Sequence, residues 1–329
     1  MANKISIITY HYVRNLKHSR HPQIKGLDIN LFKEQLNYIL KYYGIIRMQD
    51  LFEAIGGNKK LPENSLLLTF DDGYIDHFES AFPILDELGI QGSFFPPGKA
   101  ICEHKVLDVN KIHFILASVE DKKLLIENIY SLMDKYRKEF NLEPNDIIRN
   151  KLITKSRFDA EEVSFIKKIL QKALPEKLRN IIVDNLFFKY VSKDEAAFSR
   201  ELYMDADQLK YMTKHGMYVG GHGWDHYWLD TLSEDQQNKE IELSLKFLET
   251  IGCDTSAWAM CYPYGAYNDF LIALLKSRGC KLALTAEVGI ADLTAGNPFI
   301  LPRLDANDLP KDENAEPNEW TLKVISGGS

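Results

Sequence analysis

The chain has 329 residues, 45% of them hydrophobic and 26% charged, and its 40 Lys+Arg against 47 Asp+Glu leave a net charge of −7. That composition supports a packed core and excludes a disordered tail protein, and a mildly acidic chain without a Lys/Arg block lacks the electrostatic footprint of a nucleic-acid binder. No stretch approaches the roughly 18 uncharged apolar residues of a spanning helix, and the four cysteines, none in a CxxC pair, are too sparse for a disulfide framework and read as buried free thiols.

The N-terminal MANKISIITYHYV carries a short apolar run broken by Ser6, Thr9 and His11, without the roughly 7–15-residue apolar core of an export signal. It reads as a first strand, and the chain is expected to be cytoplasmic. Asn30 precedes LFKEQLNYILKYY as a helix N-cap. Further apolar runs near 45–48, 66–70, 92–96, 217–221, 257–262, 281–285 and 299–304 bring the candidate strands to about eight. Helical patterns lie between them. Several end in a Gly suited to a left-handed C′ position, namely Gly44, Gly89, Gly216, Gly252 and Gly279, and Ser233 to Gln236 has capping-box spacing. Continuous runs such as LLLTF suit strands buried on both faces, so the alternation implies parallel βα units and an α/β barrel.

Residues 104–199 break this rhythm with Lys, Glu, Ile and Leu at helical spacing and almost no Gly, as in KKLLIENIYSLMDKY and EKLRNIIVDNLFFKYV. They read as a helical insertion in the loop leaving the fourth strand, on the side where barrel active sites gather. Packing, a contact between copies in a homo-oligomer, or a lid are the roles open to it. Residues 1–103 and 200–310 would then form the barrel, with 311–329, rich in Asn, Glu and Pro, as a loosely held tail.

Two motifs carry chemistry. Thr69-Phe70-Asp71-Asp72-Gly73 follows a buried apolar strand, and adjacent carboxylates at a strand end are costly unless a cation offsets their repulsion. The same pair would also serve as a helix cap beside a solvated neighbour. His222-Gly223-Trp224-Asp225-His226 also follows a strand, and two imidazoles four apart can bind one ion, though either ring can equally satisfy itself in a polar loop. Together they supply an N/N/O set of the kind that holds a hydrolytic Zn²⁺ with a position left for water.

At these residues the sequence resembles the polysaccharide deacetylases of carbohydrate esterase family four, and the likeness spans about 1–103 and 200–310. Gly223 stands where members usually have Ser or Thr. Cys261-Tyr262-Pro263-Tyr264-Gly265 is akin to the third motif, and Leu301 to Asp305 lies near the fourth. The resemblance implies a distorted (β/α) barrel, Asp72, His222 and His226 on a divalent metal with Zn²⁺ as the default, Asp71 as general base, and the Tyr264 backbone N–H at an oxyanion hole. Many members hold the base with an Arg before the Pro-Tyr turn. This chain has Cys261 and Tyr262 there, and Arg303 is the substitute. No His follows His226, so the usual late acid is missing. A circularly permuted branch that includes poly-N-acetylglucosamine deacetylases opens with a similar Tyr-His, which assigns the general acid to His11. Tyr12, Trp224 and Tyr264 are candidates to stack on a sugar, or to be core.

The expected activity is metal-dependent removal of an N-acetyl group from an amino sugar, in a surface glycan or its cytoplasmic precursor. Two other readings stand beside it: hydrolysis of another C–N bond such as a cyclic amide, and non-catalytic glycan binding.

Overall fold

A computed structural model describes residues 4–153, 159–294 and 296–325. Its strands are β1 (Lys4–Tyr10), β2 (Val13–Arg14), β3 (Leu27–Asp28), β4 (Gly44–Ile45), β5 (Ser65–Asp71), β6 (Ser93–Phe95), β7 (Tyr218–Val219), β8 (Trp258–Cys261), β9 (Cys280–Val288), β10 (Ala291–Asp292) and β11 (Leu301–Asp305). The main sheet runs β7-β6-β5-β1-β11-β9-β8, with every neighbouring pair along it parallel. The two ends of this curled sheet meet in a parallel bridge between Gly221 and Met260. The result is the expected distorted (β/α) barrel. The first strand lies between β5 and β11, the place that a permuted order requires.

Successive side chains on a strand point to opposite faces, so one parity of each strand fills the barrel. At one end that filling is apolar: Ile5 and Ile7 of β1, Leu67 of β5, Ala259 of β8, Leu282 and Leu284 of β9 and Leu301 of β11 form one buried cluster. Further along the same faces come Thr9, Thr69, Asp71, Cys261 and Arg303, all buried and bonded to one another. The opposite parity packs outward, as where Phe70 stacks between Tyr10 (5.0 Å) and Phe94 (4.7 Å). Each fully buried Leu, Ile or Phe contributes about 1.5–3 kcal/mol, so the apolar end carries the stability that lets the other end be polar.

Because the strands along this path are parallel, their C-terminal ends share one face, and Asp71, His222, Tyr262 and His11 each lie at or just beyond such an end. That shared direction brings residues far apart in sequence to one place.

The chain divides into two compact units: the barrel with residues up to Asn15, Gly26–His104 and from Arg200 on, and a second unit of Leu16–Lys25 and Lys105–Ser199. The second is helical, with helices at Asp108–Ser118, Lys122–Tyr136, Asn145–Leu152, Glu161–Lys168 and Glu176–Tyr190 around a core that includes Ile112, Ile115, Leu125, Ile129, Phe165, Ile169, Ile182 and Leu186. It recruits Leu16–Lys25, a segment the sequence pattern placed with the barrel, and Lys25 pairs with Asp159 at 2.6 Å. Its buried Lys111 is neutralised by Asp184 at 2.6 Å and Glu195 at 3.1 Å. No helix among the described residues is long and apolar enough to cross a membrane.

Several local expectations shift. The first long helix is Ile29–Tyr42 and its cap is Asp28, whose side chain accepts from the Asn30 N–H, so Asn30 is inside the helix. Gly89, Gly216, Gly252 and Gly279 take positive φ as expected, but Gly44 does not, because the helix ends in extended backbone at Tyr43 that leads straight into β4. Of the cysteines Cys261 and Cys280 are buried, whereas Cys102 is exposed. The stretch after Pro310 is not loosely held over its described part: Thr321, on the helix Glu319–Ile325, is fully buried and bonds the hydroxyls of Tyr38 (2.7 Å) and Tyr43 (3.0 Å). Gln35, also fully buried, donates to the carbonyls of Ala306 (2.8 Å) and Leu309 (3.0 Å). Polar composition misled because the partners are hydroxyl and amide groups inside the fold.

Thr321→Val keeps the shape and removes the partner of two buried phenols. The expected loss is about 1–3 kcal/mol of unfolding free energy, measured by urea denaturation against wild type.

Candidate active site

The chain turns sharply after β5. Asp72 and Gly73 take φ of 72° and 68°, the Asp72 N–H bonds the Phe95 carbonyl at 3.1 Å, and the Met204 N–H bonds the Gly73 carbonyl at 3.0 Å. A Cβ on Gly73 would sit 2.7 Å from Pro96 Cβ, so only glycine fits. This turn sends the two neighbouring carboxylates to different partners.

Asp71 stays inside the barrel, 2% exposed, and takes a two-pronged contact from Arg303: Nη1 donates to Oδ1 at 3.0 Å and Nη2 to Oδ2 at 2.8 Å. The Cys261 thiol donates to Oδ2 at 3.3 Å and the Thr9 hydroxyl to the same oxygen at 3.4 Å. Arg303 is itself held by the Thr285 carbonyl (2.9 Å) and the Thr69 hydroxyl (3.2 Å). Burial pushes the Asp71 carboxyl up, but the charge and hydrogen bonds of Arg303 outweigh it and hold the group below the usual carboxylate range. Breaking such a buried pair leaves an uncompensated charge, at a cost of about 3–5 kcal/mol.

Asp72, 3% exposed, faces two imidazoles. Its Oδ1 lies 3.4 Å from His222 Nε2 and 3.3 Å from His226 Nε2, and one ligand atom from each of the three residues lies within 4.8 Å of the others. His222 Nδ1 bonds the Cys261 carbonyl at 2.7 Å, which places a proton on Nδ1 and turns Nε2 toward Asp72. Burial opposes the Asp72 charge and the two rings overcome it, holding the carboxyl well below its ordinary value. Burial lowers the His226 pKa, whereas at His222 burial is outweighed by the Cys261 and Asp72 interactions, which raise its pKa well above the ordinary value. Two imidazole nitrogens and one carboxylate oxygen, desolvated and aimed at a common point, are the donor set of a small divalent cation. Asp71, His222 and Cys261 also lie within 4.8 Å of one another, but they fit an ion poorly. Arg303 occupies both Asp71 oxygens, and burial pushes the Cys261 thiol up, away from the thiolate a metal needs.

The loop carrying the histidines is shaped by residues that spacing did not single out. Gly220 allows close approach: a Cβ there would meet the Phe95 ring at 2.6 Å and the Ala259 carbonyl at 2.7 Å. Glu240, in the helix Glu234–Thr250 and 7% exposed, accepts the N–H groups of Trp224 (2.8 Å) and Asp225 (3.0 Å). Lys99 forms an ion pair with Asp225, and its N–H bonds the Trp224 carbonyl at 2.9 Å. Asp225 therefore braces the loop through Lys99. Gly223 has φ of 71°, a conformation that disfavours the Ser or Thr expected at this position.

The remaining candidates divide. Tyr264, in left-handed backbone with φ of 57°, stacks on Trp228 at 4.4 Å and meets the His226 ring edge-on at 4.7 Å. Trp224 is half-buried against Gly98, where a Cβ would strike its ring at 2.5 Å. Tyr12 is only 3% exposed and stacks on Tyr74 at 4.0 Å, so its ring supports the site from behind and has no face to offer a sugar. His11 is exposed, and an electrostatic interaction with it is the smallest of the influences that lower the Asp71 and Asp72 pKa. Its backbone carbonyl is held at 2.8 Å by Nε2 of His77. His77 is fully buried, and burial lowers its pKa from 6.5 to about 4.

The polysaccharide deacetylase family model matches residues 58–135 and 182–283, more than half of the chain. Among solved structures, the Streptococcus pyogenes deacetylase PplD in complex with acetate is 17% identical with a TM-score of 0.58, each chain being fully covered. IcaB from Ammonifex degensii is 18% identical with a TM-score of 0.53, over 98% of this chain and 96% of that one. A de-N-acetylase from Aggregatibacter actinomycetemcomitans is 16% identical with a TM-score of 0.51, over 95% of this chain and 97% of that one. At such identities the structural likeness speaks for the fold, and the family rests on the sequence match.

The buried His77 makes stability depend on acid. Its folded pKa of about 4 lies below the ordinary 6.5, so on acidification the unfolded chain takes the proton first. Wild type should lose up to about 3 kcal/mol from this group between roughly pH 6.5 and 4. His77→Gln, which keeps a donor for the His11 carbonyl, should lose correspondingly less over that interval in urea titrations.

Proposed function

Because the chain belongs to the polysaccharide deacetylase family and is a carbohydrate deacetylase, we propose that it hydrolyses the N-acetyl group of an amino sugar in a glycan or glycan precursor, with Asp72, His222 and His226 holding one divalent cation, Zn²⁺ by default. The observation that carries this reading is the convergence of those three buried donors within 4.8 Å, beside a second carboxylate that has its own cationic partner. When bound, the ion supplies a Lewis acid that polarises the acetamido carbonyl and acidifies water. Other divalent ions suit the same donors, because geometry and availability select among them more than the ligand types do.

Asp71 accepts the proton of the attacking water. Arg303 keeps its carboxylate ionised and fixed in direction, at the expense of basicity. The Tyr264 N–H, set by the left-handed turn after Pro263, is assigned to the developing oxyanion. His11, exposed beside the two carboxylates, donates a proton to the departing amine. Trp224 and Tyr264 contribute the aromatic contacts to the sugar, whereas Tyr12 acts through Tyr74.

The test uses purified protein with N-acetylglucosamine oligomers, nucleotide-linked N-acetyl sugars and cyclic amides, scoring acetate release against ring opening. Chelation should abolish acetate release, and added Zn²⁺ should restore it. Asp71→Asn should retain stoichiometric metal while turnover falls by about 10²- to 10⁴-fold. His11→Ala should retain metal and lose turnover on the same scale. Ring opening without acetate release would replace this reading with the cyclic-amide one. Unchanged turnover in Asp71→Asn would remove Asp71 from the chemistry.

A further inference from the structure

Tyr74 stands two residues after Asp72 and is fully buried. Its hydroxyl donates a hydrogen bond to Asp72 Oδ2, while Oδ1 faces the Nε2 atoms of His226 and His222 at 3.3 and 3.4 Å. A carboxylate has two equivalent oxygens and can swing about its Cβ–Cγ bond. A fixed donor on one oxygen therefore decides which oxygen is presented, and how many.

The donor here is fixed. The Tyr74 ring stacks on Tyr12, at 4.0 Å and 23°, and lies near-parallel to Tyr203, at 6.2 Å and 10°, and the Tyr74 backbone forms an antiparallel bridge with Tyr203. Tyr12 is covered in turn by the Arg14 guanidinium 5.0 Å from its ring centre, and Arg14 is tied to Asp76 at 2.6 Å. An aromatic stack anchored by a half-buried ion pair thus holds one hydroxyl against one oxygen of Asp72.

We infer that Tyr74 is a positioning residue that restricts Asp72 to a single coordinating oxygen, so that a bound cation meets one carboxylate oxygen and two imidazole nitrogens and its other positions remain for water and the acetamido group. The inference rests on the cation-binding reading of Asp72, His222 and His226. Without the hydroxyl, Oδ2 is able to turn toward the ion beside Oδ1 and fill a position that the reaction needs.

Tyr74→Phe removes the hydroxyl and keeps the ring stack. Zn²⁺ affinity, measured by competition with a chromogenic chelator, should weaken by about 10- to 100-fold. The visible absorption of the Co²⁺-loaded variant should also change in intensity as the coordination number rises. Affinity within twofold of wild type, or weaker affinity with an unchanged Co²⁺ spectrum, would overturn the inference, the latter by assigning Tyr74 to folding alone. X-ray absorption on Zn²⁺-loaded wild type is a second measurement that needs no variant: one short carboxylate oxygen is expected, and two oxygens from one carboxylate would overturn it. Wild type that binds neither Zn²⁺ nor Co²⁺ would overturn this inference and the cation site together. Wild-type binding lost in Asp72→Ala but intact in Tyr74→Phe would overturn this inference alone.

Discussion

Two consecutive carboxylates lie buried at the end of one strand, Asp71 at 2% and Asp72 at 3% exposure, and the polar end of the barrel is organised around making that tolerable. An isolated ionised carboxylate in such a place costs far more than any single contact returns. The chain separates the pair by a left-handed turn and gives each its own compensation. Asp71 receives a guanidinium, a thiol and a hydroxyl. Asp72 receives a phenol on one oxygen and two imidazoles on the other. The first is settled within the protein, and the second is arranged so that a cation completes it.

Strand geometry makes this arrangement available. One parity of each strand fills the barrel, so a residue two positions further along stays on the same face but moves toward the C-terminal end. Leu67 to Thr69 to Asp71 on β5, Ile5 to Ile7 to Thr9 on β1, Ala259 to Cys261 on β8 and Leu301 to Arg303 on β11 all pass from apolar toward polar or titratable in the same direction. Burial that stabilises the fold at one end becomes, a few ångströms on, the low-dielectric surrounding that strengthens the Asp71–Arg303 pair. Arg303 and Cys261 both reach Asp71 because β11 and β8 both direct this parity inward. The guanidinium arrives from a different strand at the same carboxylate.

Strain gathers at the same place. Asp72, His226 and Tyr264 are three of the six non-glycine residues with positive φ among those described, and such conformations persist only where surrounding contacts over-determine them. Those contacts are identifiable: the Phe95 carbonyl at Asp72, Glu240 and Lys99 at the histidine loop, and Trp228 stacked on Tyr264.

The sequence by itself determined the class of fold and the centre of the site, because both are written in local patterns. Apolar runs at strand length, helices ending at Gly89, Gly216, Gly252 and Gly279, and the Asp71-Asp72-Gly73 and His222-to-His226 spacings are readable within a few residues. Pairing Arg303 with Asp71 was inferable only as a substitute for a missing Arg, since 232 positions separate them. Glu240 among the charges of a long helix, His77 behind His11, Tyr12 as support for Tyr74, and the hydroxyl-anchored Thr321 in a polar tail carry no spacing signal at all. Their roles depend on strand register and on which face each side chain takes, and a slip of one residue would reverse every such face. Register is fixed by the whole barrel closing on itself, and so only the tertiary structure decided them.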